Sequence, residues 1–108
     1  MPEIPVADSK AVPDGEILAV SVNDQAVAIA RVDGRVYAFD DRCTHEECPL
    51  SDGFVEGAEI ECWRHGARFD LQTGAVTLPP ATSPLVVHAA SERDGTIFVV
   101  LAETAQAQ

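Results

Sequence analysis

Cys43-Thr44-His45 and Cys62-Trp63-Arg64-His65 each set a thiol beside an imidazole, and 16 residues separate His45 from Cys62. The pattern C-x-H-x16-C-x2-H therefore offers two soft thiolates and two imidazoles to a metal centre. One zinc ion is a candidate, since two Cys and two His form a common structural zinc set. Zinc sites usually pair like ligands at short spacing, Cys with Cys and His with His. Here each segment mixes the two types. Mixing makes sense for two metal ions, each segment giving its Cys to one iron and its His to the other.

Two such segments need a rigid frame. Glu16–Val22 and Ala26–Val32 read as strands around an Asn23-Asp24 turn, and Asp33-Gly34 is a strong hairpin signal before Arg35–Phe39. Glu3–Ala7 can add a further strand, with Pro13-Asp14-Gly15 as the turn that follows it. Residues 40–54 show no clear period and concentrate Cys, His and acidic side chains. Ala58–Cys62 and Ala67–Leu71 read as short strands flanking the second segment, and Gln72-Thr73-Gly74 as a turn. Leu78–Pro84 holds three prolines, so it cannot join a central strand. Leu85–Ala90 and Thr96–Leu101 form a closing hairpin around Asp94-Gly95, and residues 102–108 are small, polar and expected to fray. No stretch has the pattern of an amphipathic helix of ordinary length. An all-β chain of one domain, 1–108, is expected, with two blocks of antiparallel sheet around an inserted loop region.

The two boxes, Cys43-Thr44-His45-Glu46-Glu47-Cys48-Pro49-Leu50-Ser51-Asp52-Gly53 and Glu61-Cys62-Trp63-Arg64-His65-Gly66-Ala67-Arg68-Phe69-Asp70, resemble the cluster-binding boxes of Rieske ferredoxins. The likeness is to the small ferredoxins of bacterial aromatic-ring dioxygenase systems, and to similar ferredoxins encoded beside iron–sulfur assembly proteins. It extends over nearly the whole chain. It implies an antiparallel β-sandwich with a small cluster-binding subdomain at about 41–80 and a flexible tail from about 103. It implies one 2Fe–2S cluster, with Cys43 and Cys62 on the inner iron, His45 and His65 on the exposed outer iron, and Pro79–Pro84 as a third, covering loop.

High-potential members of the family link the two ligand loops by a disulfide. Cys48 stands where one of those cysteines would be, but Arg64 occupies its partner's place, so the resemblance leaves Cys48 as a free thiol. Those members also aim a Ser and a Tyr hydroxyl at cluster sulfurs, where this chain has Ala67 and Phe69. Missing donors leave the extra negative charge of the reduced cluster less stabilised. The acids Asp40, Asp41, Glu46, Glu47, Asp52 and Glu61 push the same way, so a potential near the low end of the Rieske range, about −150 mV, is expected. Trp63 is expected to pack beside the cluster and shield it, and His88 to be structural or superficial.

The formal charge of −11, from 18 acidic and 7 basic side chains, excludes the Lys/Arg stripe that nucleic acid or an anionic membrane would need. It suits a partner protein with a basic patch. No apolar run approaches the length of a membrane helix. The acidic N-terminus has no secretion signal, and three cysteines are an odd number, so a cytoplasmic monomer is expected. Neither a phosphate-binding glycine loop nor a second iron ligand set is present, so an electron carrier without a substrate of its own is expected. The resemblance implies a flavin reductase as electron donor and a terminal oxygenase as acceptor. Service to iron–sulfur assembly, a cluster-free binding module of a larger reductase, a structural zinc protein and a redox sensor are the alternatives.

Overall fold

The computed structural model describes residues 3–42, 49–63, 66–79 and 83–102. Ten strands run in it: β1 (Ile4–Asp8), β2 (Ile17–Val22), β3 (Gln25–Val32), β4 (Arg35–Asp40), β5 (Phe54–Glu56), β6 (Glu59–Glu61), β7 (Arg68–Asp70), β8 (Val76–Leu78), β9 (Val87–Arg93) and β10 (Thr96–Val100). The only helices among the described residues are two single 3-10 turns, Ser9–Ala11 and Leu50–Asp52. None is long and apolar enough to cross a membrane.

All pairings are antiparallel. Six strands form one sheet in the order β1-β10-β9-β4-β3-β2, and four form a smaller sheet in the order β5-β6-β7-β8. Three hairpins of the large sheet are made by two-residue turns whose residues both have positive φ: Asn23 and Asp24, Asp33 and Gly34, Asp94 and Gly95. That backbone hand matches the twist of the strands it joins, and Asn, Asp and Gly adopt it most readily. The expected first and last sheet blocks are thus joined into one sheet, by a short rung where Ala38 and Phe39 of β4 face His88 and Val87 of β9.

The strand β3 is buried on both faces. Val27 and Ile29 point into one core with Val12, Val22, Ala38, Ile97 and Val99, between the β2-β3-β4 half and the β1-β10 half of the large sheet. Ala28 and Ala30 point the other way, with Phe39 of β4, into a second core under the small sheet. Two alanines on that face let the small sheet approach closely. Ile60 and Phe69 descend onto them from β6 and β7, both fully buried. Burying side chains of this size contributes about 2–3 kcal/mol each.

Two strands went unread in the sequence. β5 begins at the last residue of the segment without a period, and β8 begins before the proline loop; each is three residues long. β8 is an edge strand, so the prolines after Leu78 interrupt no ladder on a central strand.

Candidate metal centre

Of the four expected ligands, Cys62 lies within the described residues; Cys43, His45 and His65 lie outside them, as does Cys48. Cys62 directly follows β6 and is 1% exposed, in the same core as Leu50, Ala67, Phe69, Leu71 and Leu85. Its N–H donates to the Ala67 carbonyl (2.8 Å), and its own carbonyl accepts from the Gly66 N–H (3.1 Å). Gly66 has φ +78°, so the chain turns back on itself between β6 and β7, with His65 next to the turning residue in sequence. A side-chain thiol so placed is shut off from water and walled by apolar groups. That donor set fits the inner, sulfur-liganded iron of the expected cluster.

Three segments of the chain start and end at this patch, and the described residues at the two ends of each, which form its neck, are hydrogen-bonded to one another. The loop between Asp41 and Ser51 is closed by the Asp41 carboxylate, which accepts from the Ser51 N–H at Oδ1 (2.7 Å) and from the Ser51 hydroxyl at Oδ2 (2.8 Å). The second is the Cys62–Ala67 turn. The third, which carries β8 and the prolines, is closed by the Leu85 N–H donating to the Gly74 carbonyl (2.7 Å). The first two necks touch, because a Cβ on Gly53 would collide with the carbonyl oxygen of Glu61. Glycine is required at Gly53 for that close approach, since φ there is an ordinary −95°. The structure therefore brings together the bases of the loops in which the sequence places Cys43, His45, His65 and Pro79–Pro84.

Below the first loop, Asp40 ends β4 and accepts from Gln25 Nε2 (3.0 Å), with His88 Nε2 at 2.9 Å. The Ala102 N–H donates to His88 Nδ1 (2.9 Å). A ring nitrogen that accepts carries no proton, so the proton sits on Nε2 and is donated to Asp40. Burial pushes the Asp40 carboxyl up, but hydrogen bonds from His88 and Gln25 outweigh it and hold the group below its ordinary value. His88 is thus a buried strut tying β9, β4 and the chain after β10, the structural of its two expected roles.

Ala67 and Phe69 are both buried beside Cys62 and bring no hydroxyl to it. Trp63, next to Cys62 in sequence, is 49% exposed. Arg68 lies among three acids on the outer face of the small sheet, 3.1 Å from Glu56 and Glu59 and 3.8 Å from Glu61. Part of the acidic charge near the second loop is therefore compensated locally. The Asp41–Ser51 closure was not legible in the sequence, where Asp41 read only as one acid among several.

A family profile described as the Rieske [2Fe-2S] domain matches residues 3–100. Among curated relatives, the ferredoxin component of the naphthalene 1,2-dioxygenase/salicylate 5-hydroxylase systems of Ralstonia sp is 43% identical over 77 residues, 71% of this chain and 74% of the relative. Among solved structures, the Sphingomonas yanoikuyae B1 ferredoxin superposes with a TM-score of 0.85 at 34% identity, covering 91% of this chain and 97% of that one. A chain in the complex of reduced oxygenase and oxidized ferredoxin of carbazole 1,9a-dioxygenase superposes with a TM-score of 0.83, also at 34% identity, covering 90% and 91%. The fold, the walled thiol and these likenesses agree: this chain belongs to the Rieske [2Fe-2S] domain family, and a Rieske 2Fe–2S cluster is its cofactor.

Proposed function

We propose that the chain is a one-electron carrier, the ferredoxin component of an oxygenase system of the aromatic-ring dioxygenase kind, and not itself an enzyme. The carrying observation is the match to ferredoxins, over 97% of the Sphingomonas yanoikuyae B1 ferredoxin and 74% of the Ralstonia sp ferredoxin component. In this reading Cys43 and Cys62 hold the inner iron and His45 and His65 the outer iron. The bound cluster supplies a place for one electron; the chain supplies its surroundings. Cys62 is kept from water, Ala67 and Phe69 withhold hydroxyl donors, and the potential stays low enough to accept from a flavin reductase. The small sheet, Phe54–Leu78, falls within the subdomain we assign to cluster binding, about 41–80.

The acceptor in this reading is a terminal oxygenase, as in the solved oxygenase–ferredoxin complex, with the reductase as donor. A net charge of −11 favours partner faces rich in Lys and Arg. We assign the protein to the cytoplasm as a monomer.

Electron paramagnetic resonance of the dithionite-reduced protein, with iron and sulfide quantified, tests this. A rhombic signal of low average g with about two irons per chain is expected. His65→Cys is expected to shift the signal away from the mixed His/Cys type; an unchanged spectrum would remove His65 from the ligand set. Zinc or no metal in the wild-type protein would overturn the carrier reading.

A further inference from the structure

We propose that Asp41 is a positioning residue for the cluster, acting as a latch that pins together, through Ser51, the two ends of the segment that carries Cys43 and His45. The inference rests on the electron-carrier reading above. Its starting point is a difference between the three loop necks. Those of the second and third loops are closed by main-chain bonds, Cys62 to Ala67 and Gly74 to Leu85, which a change of side chain leaves in place. The first neck is bridged by a side chain. Both carboxylate oxygens of Asp41 are used, one on the N–H and one on the hydroxyl of Ser51, at 2.7 and 2.8 Å. Two short bonds to an ionised acceptor are stronger than neutral ones and fix orientation as well as distance.

Both sides of the latch are anchored. The Asp41 N–H donates to the Ala26 carbonyl (3.1 Å), which ties it to the central sheet. Ser51 follows Leu50, which is fully buried in the core that holds Cys62, and precedes Gly53, pressed against the carbonyl of Glu61. The latch therefore joins the sheet to the base of the second ligand loop. Between its two residues lie Cys43 and His45, half of the expected ligand set. Pinning the two ends of a segment lowers the entropy it has to lose on binding iron, which favours retention of the metal.

The test uses the holoprotein and the Ser51 side, because changing Ser51 leaves the local charge unaltered. The readout is the rate at which visible absorption bleaches in excess iron chelator. Ser51→Ala removes the hydroxyl bond and is expected to bleach about fivefold faster than wild type, the effect of losing one ordinary hydrogen bond. Ser51→Thr keeps a hydroxyl and is expected within about twofold of wild type. Glu92→Gln weakens a carboxylate tie remote from the loops and is expected to bleach at the wild-type rate. The latch is overturned if Ser51→Ala bleaches like wild type, if Ser51→Thr bleaches as fast as Ser51→Ala, or if Glu92→Gln is equally accelerated. A colourless wild-type protein overturns the electron-carrier reading and the latch together. A red-brown wild type with an unaffected Ser51→Ala overturns the latch alone.

Discussion

At the scale of single residues, the site is defined as much by what side chains omit as by what they provide. Ala67 sits beside Cys62, buried to 1%, with a methyl where a hydroxyl could reach toward sulfur. Ala67→Ser is expected to raise the reduction potential. One new bond worth about 1 kcal/mol corresponds to about 40 mV for a one-electron couple. Potentiometric titration of the two proteins side by side checks this; an equal or lower potential for the variant would show that donor loss is not what sets the value. Trp63 teaches a different lesson at the same scale. Its neighbour Cys62 is buried and Trp63 itself is half exposed, so hydrophobicity alone does not tell which of the two faces the core.

At the scale of elements, legibility followed the length and locality of the signal. The hairpins around Asn23-Asp24, Asp33-Gly34 and Asp94-Gly95 could be read because turn chemistry and strand flanks sit side by side in the chain. β5 and β8 could not: they are as short as β6 and β7, but β5 straddles the end of the segment without a period and β8 runs into the proline loop. The rung between β4 and β9 was hidden for another reason: its partners are far apart in the chain, with the whole small sheet between them in sequence. At the site, the mixed Cys–His spacing was legible because ligand chemistry is local, whereas the Asp41–Ser51 closure depends on how the loop returns. Gly74 was legible only as a turn. Its φ is +84°, and a Cβ there would strike the Leu85 carbonyl, while Gly34 at φ +82° faces open space. Gly34→Ala should therefore cost only backbone strain, about 1 kcal/mol, and Gly74→Ala clearly more, about 3 kcal/mol. Denaturant midpoints of the two variants check the order; equal losses would mean that the third loop yields without cost.

At the scale of the whole molecule, a chain of net charge −11 is held partly by ties made from its few cations. Arg31 reaches from β3 to the carbonyls of Val12, Ser9 and Gly34 and pairs with both oxygens of Glu92 on β9, at 2.6 and 3.1 Å. The Arg31 hydrogen bond, aided by Ser9, pulls the Glu92 carboxyl down from 4.5 to about 2. A depressed carboxyl stabilises the fold fully above its unfolded value and loses that contribution as pH falls through the folded one. Stability from this tie should therefore be complete above pH 4.5 and fade toward pH 2. Glu92→Gln should melt lower at neutral pH, and the gap to wild type should narrow across that acid window; a gap that does not change with pH would exclude the tie as its source. The strand β3 has a wider consequence, because each of its faces belongs to a different core. A wall common to both cannot give way on one side alone, so the small sheet and the large one are expected to melt as a single cooperative unit. Heat that unfolds either sheet is then expected to release the cluster in the same transition, while a chain that stays folded keeps it.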